Sequence, residues 1–302
     1  PLATLFEAPT VEKLSAIIAS KDWKPSWASL VPIQPGSAKP IFFCIHGAGG
    51  NILLYRDLAK HLGSDQPFYG LQAKGLNGMQ TFNTSIEDMA SDYIKEIRDL
   101  QPEGPYYLGG YCLGGTIAFE MAQQLRQQGQ KIGLLTLFDT QRQWATDLNF
   151  FIKLYQLYQQ FYFHTGNFLQ ADIKGKQAFV FEKTRETGRR IRRRYDILLS
   201  KIAYAFNFRV DKPLVLMEKI NDHASMSYLP TPYPGTVTLF RPCRAYSGYS
   251  DPLYGWGNGL TEAVDVQQLS SYPAGMLVEP FVAELAEKLQ ICLTTAREKQ
   301  TR

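Results

Sequence analysis

The stretch YYLGGYCLGGTIAFEMAQQL, residues 106–125, decides the fold. It begins as an apolar run, tightens through glycines on both sides of Cys112, and continues with apolar residues at helical spacing. A strand, a sharp turn and a helix, with Gly110-Tyr111-Cys112-Leu113-Gly114 at the bend, is the arrangement that presents a nucleophile on a strained turn. The residues two places to either side must be small for the chain to bend so tightly. The helix that starts there points backbone N–H groups at the side chain, and such donors lower a thiol pKa and hold an oxyanion. Where a serine usually stands, this turn carries a thiol. The competing reading is a buried, inert cysteine on a tight turn.

Working outward, strands alternate with helices. PIFFCI (40–45) reads as a buried strand and runs into the glycine-rich loop HGAGG (46–50). LLYRDLAKHL has a helical pattern, and PFYGLQA (67–73) reads as the next strand. SIEDMASDYIKEIRDLQ (85–101) is an amphipathic helix with Ser85 as cap and Asp88 at the capping-box position. The helix after the elbow runs to about Gln128, and IGLLTLFD (132–139) is a fully apolar strand. Such alternation implies an α/β fold with a parallel sheet covered on both faces. It stops near residue 141. Residues 142–228 read as a helical, aromatic-rich insertion, after which strands at 235–242 and 263–269 and a helix at 279–293 resume the pattern. Insertions at this edge of such sheets form lids over the site.

Two further parts fit the elbow. The HGAGG loop follows the first strand of the sheet and can supply the second oxyanion N–H, which assigns the pair to Ala48 and Leu113. The bland alternative is a glycine turn that closes strand to helix. His46 is expected to orient this loop. Asp139, at the end of the strand after the elbow helix, is placed to orient a base, or else is a turn or cap aspartate.

The 302 residues, 45% hydrophobic and 20% charged with net charge +4, suit one large domain or a domain plus appendages. The four cysteines (44, 112, 243, 292) form no CxxC pair, so they are expected to be reduced thiols of a cytoplasmic protein, with no disulfide framework and no metal site. No apolar run reaches ~18 residues, so no membrane span is expected. The N-terminus lacks the basic start of a signal peptide, and the absent initiator Met suggests a segment of a longer chain. Residues 1–20 read as a short helix with Thr10 as cap, and 21–39, with three prolines, as a linker.

FFCIHGAGG, PFYGLQAKGL, SIEDMASDYIKEIRDLQPEGPYYLGGYCLGG, LLTLFDT, YLPTPYPGTVTLFRP, DPLYGWGNGL and MLVEPFVAELAEKL occur in order from residue 40 to about 293. Together they resemble the type I thioesterase domains that end nonribosomal peptide and polyketide synthases. PLATLFEAPTVEKLSAII is similar to the last helix of a carrier protein. The resemblance implies an α/β-hydrolase fold over 40–302 and a nucleophile–Asp–His triad. It also implies an acyl-thioester substrate delivered on the phosphopantetheine of an upstream carrier domain, with no cofactor held by the domain itself. Such domains carry the histidine a few residues before a segment that aligns with Met276-Leu277-Val278-Glu279-Pro280. The ungapped alignment puts Pro273 there, within LSSYPAGMLVEP. The histidines of the chain are 46, 61, 164 and 223, and each is expected to be structural.

Serine has become cysteine and histidine has become proline. A thiol of pKa near ~8.5 can take an acyl group from a carrier thioester without a base. Water attack on the acyl-cysteine then lacks a general base worth roughly 10²–10⁴-fold. Release is therefore expected to favour cyclisation or transfer over hydrolysis. Tyr111, Ser270, Ser271 and Tyr272, which flank the thiol and the proline, are candidate substitutes for the missing base, against the bland reading of loop residues that face solvent or packing. The alternatives are a non-catalytic pseudo-thioesterase that docks the carrier, and a Claisen/Dieckmann-type or amide-forming cyclase on the same scaffold. The basic run at 183–194, with Arg189, Arg190, Arg192, Arg193 and Arg194, reads as a solvated helix face or as a docking surface for an acidic carrier protein or its phosphate arm. Nothing else reads as a nucleic-acid module. The aromatics of 150–164 read as lid core, or as the lining of an acyl channel.

Overall fold

The computed structural model describes residues 10–20, 28–36, 39–74, 83–142, 213–243, 251–257, 259–271 and 275–301, with isolated positions elsewhere. The chain forms two compact units. One comprises Pro1–Trp144, Met217–Ala245 and Tyr249–Arg302, and the other comprises Ala145–Leu216 and Tyr246–Gly248. In the second unit the described positions are helical, with the Thr165 hydroxyl donating to the Phe161 carbonyl at 2.7 Å. The basic run with Arg189, Arg190, Arg192, Arg193 and Arg194, the aromatic stretch around His164 apart from Tyr158 and Phe161, and Pro273 all lie outside the described residues.

The described elements are α1 (Val11–Ala19), β1 (Leu30–Gln34), β2 (Phe42–Ile45), a 3₁₀ turn (Leu53–Tyr55), α2 (Arg56–His61), β3 (Phe68–Leu71), α3 (Ile86–Leu100), β4 (Tyr106–Tyr111), α4 (Leu113–Gln127), β5 (Ile132–Phe138), α5 (Pro213–Ser227), β6 (Tyr233–Pro242), β7 (Thr261–Leu269) and α6 (Phe281–Thr301). The strands form one seven-stranded sheet in the order β1-β3-β2-β4-β5-β6-β7. All neighbours pair in parallel except β1, which runs antiparallel to β3.

Both faces of the sheet are buried, which is why the strands read as continuous apolar runs. Along β2 the pleat sends Phe43 and Ile45 into the core beneath α3 and α4, and Phe42 and Cys44 into the core beneath α2 and α6. Helix α3 starts where expected, with the Asp88 N–H donating to Ser85 Oγ at 3.1 Å. Its Ile86, Met89, Ala90, Tyr93, Ile94 and Ile97 fall on one face and are buried.

One expectation is corrected. Within the supposed linker 21–39, Leu30–Gln34 is an edge strand, with Leu30 opposite Leu71 and Pro32 opposite Tyr69. Proline donates nothing to a ladder, so it reads as punctuation in sequence, yet an edge strand has a free side on which no donor is needed. Val31 is buried in the α2/α6 core, and the Leu30 N–H donates to Glu96 Oε2 at 2.7 Å. At the opposite edge, β7 pairs on one side with β6 and leaves Glu262 and Asp265 exposed. Helix α1 has the expected cap, with the Lys13 N–H donating to Thr10 Oγ1 at 3.2 Å, and it buries none of its residues.

Candidate active site

Strands β2 and β4 are neighbours, but the chain leaves β2 toward β3 on one side and β4 toward β5 on the other. Ligands of such sheets bind at the carboxyl ends of the strands where the order reverses. The loop at 46–50 and the elbow at 110–114 both open at that point.

The elbow is built by close contact. A Cβ on Gly110 would lie 2.2 Å from the carbonyl carbon of Gly114, and one on Gly114 would lie 2.2 Å from the Ile45 carbonyl oxygen. Neither position accepts a side chain without moving backbone. Between them Cys112 has φ 54° and ψ −117°, in the left-handed half of the map where non-glycine residues are strained. Its N–H donates to the Phe138 carbonyl at 2.9 Å, which joins the elbow to the end of β5.

The Cys112 thiol is not activated. Burial pushes its pKa up to about 12. The Leu113 N–H favours the thiolate, as a helix N-terminus should, while the carboxylates of Asp139 and Asp222 oppose it. The expectation of a thiol held at or below its ordinary value fails because desolvation outweighs the helix end. The resting side chain is a protonated thiol.

Asp139 follows β5 directly and also has a positive φ, 44°, with its N–H donating to the Phe240 carbonyl at 2.8 Å. It stands next to Phe138, whose carbonyl holds the Cys112 N–H, so the candidate acid and the thiol share one backbone junction. Asp222 had no motif to announce it. It lies on α5, where Glu218, Asn221 and Asp222 share a helical face. Asn221 is buried and its Nδ2 donates to the Ala48 carbonyl at 2.8 Å, and Glu218 Oε1 lies 3.9 Å from where a Gly49 Cβ would stand. That face of α5 therefore covers the loop expected to hold the first oxyanion donor. Leu113, expected to supply the second, opens α4.

His46 is fully buried. Its Nδ1–H donates to the Gly47 carbonyl at 2.7 Å, and the Tyr93 hydroxyl donates to Nε2 at 2.7 Å. Burial lowers its pKa to about 4, so it is neutral and fixed in the loop. His61 Nε2–H donates to Glu279 Oε1 at 2.7 Å, joining α2 to the segment after position 273. His223 is exposed on α5, and His164 lies outside the described residues.

A cavity of about 810 Å³ opens at the other end of the sheet, among Ile132, Gly133, Tyr233, Asp265 and Cys292. Since β5 rises ~3.3 Å per residue, that end is roughly 20 Å from the elbow. No motif leads to it, and the chemistry-bearing residues are gathered at the opposite end.

Residues 40–149 match the family model of the thioesterase domain. A dimodular nonribosomal peptide synthase of Bacillus subtilis (strain 168) is 41% identical over 138 residues, which is 46% of this chain and 6% of that protein. Malpinin synthetase of Mortierella alpina is 42% identical over 147 residues, 48% of this chain and 2% of that protein. The chain thus spans a small fraction of the length of these relatives. Among solved structures, the NocB thioesterase domain from the nocardicin cluster superposes with a TM-score of 0.60 at 20% identity, covering 88% of this chain and 99% of that one. That likeness gives the same fold, the α/β-hydrolase fold.

Proposed function

We propose, from the premise that residues 40–149 are a thioesterase-domain sequence of the kind found in nonribosomal peptide and polyketide synthases, that this chain is a release domain acting through Cys112. The thiol takes the acyl or peptidyl chain from a carrier-protein thioester. The new C–S bond to Cys112 forms as the carrier C–S bond breaks, and the Cys112 proton ends on the phosphopantetheine thiol. Ala48 and Leu113 N–H groups hold the oxyanion, and Asp139 supports the site. With proline at 273, release runs by attack of a nucleophile within the chain, or of an acceptor, rather than by fast hydrolysis. The observation that carries this reading is Cys112 itself: a non-glycine residue held at φ 54° between two glycines that admit no side chain, at the start of α4. Strain of this kind persists where the surroundings impose it, and it concentrates at functional sites.

In the same reading, α1 is the end of the preceding carrier domain. Its Val11 and Ile18 are 87% and 74% exposed, as expected of a helix whose partners belong to another domain. The basic run at 183–194 serves as a docking surface for that carrier.

A specific observation favours a second reading. The raised pKa of Cys112 suits an inert thiol in a non-catalytic domain that docks the carrier. Intact mass separates the two. The chain is incubated with a small-molecule acyl thioester beside Cys112→Ala. An acyl adduct on the wild type alone supports the nucleophile. Absence of both adduct and turnover counts against the nucleophile and favours the docking reading. The released product then separates cyclisation, by C–N or C–C bond formation, from hydrolysis.

A further inference from the structure

The hydroxyl of Tyr55 lies where β2 and β4 end. It donates to the Ile45 carbonyl at 2.5 Å and accepts from the Tyr111 N–H at 2.9 Å. Ile45 is the last residue of β2, one before His46, and Tyr111 is the last of β4, one before Cys112. One oxygen atom thus joins the final backbone groups of the two strands whose following loops carry Ala48 and Leu113. Tyr55 is fully buried, and its ring packs against Phe68 with centroids 6.1 Å apart. Burial keeps the phenol protonated, with its pKa well above the ordinary value, so the donor to Ile45 persists across the working pH range.

We propose that Tyr55 is a positioning residue that sets the spacing between the two oxyanion donors. This rests on the reading of Cys112 as nucleophile with Ala48 and Leu113 as donors. Both loops are otherwise held from different directions. The first hangs on Asn221 and on the Ala73 N–H bond to the Gly50 carbonyl, and the second on the Cys112 N–H bond to Phe138. The Tyr55 hydroxyl connects them directly. Without it, the Ile45 carbonyl and Tyr111 N–H are left facing each other across the space of one oxygen, and the strand ends draw together. An oxyanion donor is worth ~10²–10³-fold, and a displacement near 1 Å forfeits a large part of such a contribution.

The test is Tyr55→Phe in the full chain, which keeps the packed ring and removes one atom. Three rates or affinities are compared with wild type: acylation of Cys112 by an acyl thioester under single turnover, its half-saturating thioester concentration, and alkylation of Cys112 by iodoacetamide. Alkylation passes through no oxyanion. The expected result is a ~10- to 100-fold slower maximal acylation, with half-saturation and alkylation within about 3-fold of wild type. Equal slowing of acylation and alkylation would overturn the assignment, because the elbow as a whole would have moved. Unchanged acylation would also overturn it, as would a Tyr55→Phe chain that does not fold, since the hydroxyl would then be holding the domain rather than the donors. If wild type itself forms no acyl adduct while iodoacetamide still labels Cys112, the nucleophile reading fails first and the assignment falls with it.

Discussion

Asn221 donates from Nδ2 to the carbonyl of Ala48 at 2.8 Å, and so fixes the peptide plane that follows in the HGAGG loop. The bond reaches across 173 residues of chain and is largely buried. A hydrogen bond of this sort contributes about 1 kcal/mol. Asn221→Ala is expected to slow Cys112 acylation roughly 3- to 10-fold. Stopped acylation reactions analysed by mass check this, and unchanged rates would show that the loop holds itself.

The thiol pKa near 12 predicts an unusual alkylation profile. An ordinary cysteine levels off above pH ~9, whereas Cys112 should react about tenfold faster per pH unit through pH 10 without a plateau. Asp222→Asn removes a charge that opposes the thiolate, so it should speed alkylation at pH 8. The linkage runs in the same sense. The unfolded thiol ionises near pH ~8.5 and the folded one does not, so this group's contribution to stability is whole below that pH and is lost as pH rises toward 12.

His46 acts at the other end of the pH scale. Its folded pKa of about 4 lies below the ordinary value, so in the unfolded chain it binds a proton that the folded loop refuses. Its contribution is complete above pH ~6.5 and is lost as pH falls toward 4. From this residue alone, stability should be on the order of 2 kcal/mol lower at pH 5 than at pH 7. Urea unfolding at the two pH values, beside His46→Gln, measures it. An equal drop in the variant would assign the loss to other groups.

Pro273 offers a gain-of-function test. The segments around it are anchored: the Ser270 N–H donates to Glu284 Oε2 at 2.9 Å, the Val278 N–H donates to the Gly275 carbonyl at 3.1 Å, and Glu279 accepts from His61 at 2.7 Å. Pro273→His is expected to speed hydrolysis of an acyl-Cys112 adduct, by up to ~10²–10⁴-fold for a well-placed base. Decay of the adduct mass over time reads it. An unchanged lifetime would mean that position 273 does not reach the thioester.

Gly114 tests the elbow itself. Gly114→Ala puts a methyl 2.2 Å from the Ile45 carbonyl oxygen, so backbone must shift. Acylation should fall below detection, and the melting temperature should drop, since overpacking of this kind costs about 1–3 kcal/mol. A variant with wild-type acylation would show that the close approach is dispensable.

The architecture was legible because its signals are local. Unbroken apolar runs mark strands buried on both faces, the glycine spacing about Cys112 marks the elbow, and Ser85 marks the start of α3. Strand β1 was hidden because Pro32 signals a turn unless the edge on which it sits is known. Tyr55 and Asn221 were hidden for a different reason. Each acts through one hydrogen bond to backbone far away in sequence, and no spacing encodes such a partner. The thiol pKa is not legible in sequence, which shows the helix end that lowers it but not the burial that raises it. Asp222 carries no motif, and only the fold lays its helical face over the HGAGG loop.

The two outer strands of the sheet differ in how they end it. On one side Pro32 withholds a donor in mid-strand, and on the other Glu262 and Asp265 stand exposed along β7. A second sheet edge approaching β7 in register would bring like charges together, and one approaching β1 would meet a gap in the ladder. The sheet is thereby insulated against growing by self-templated addition of strands.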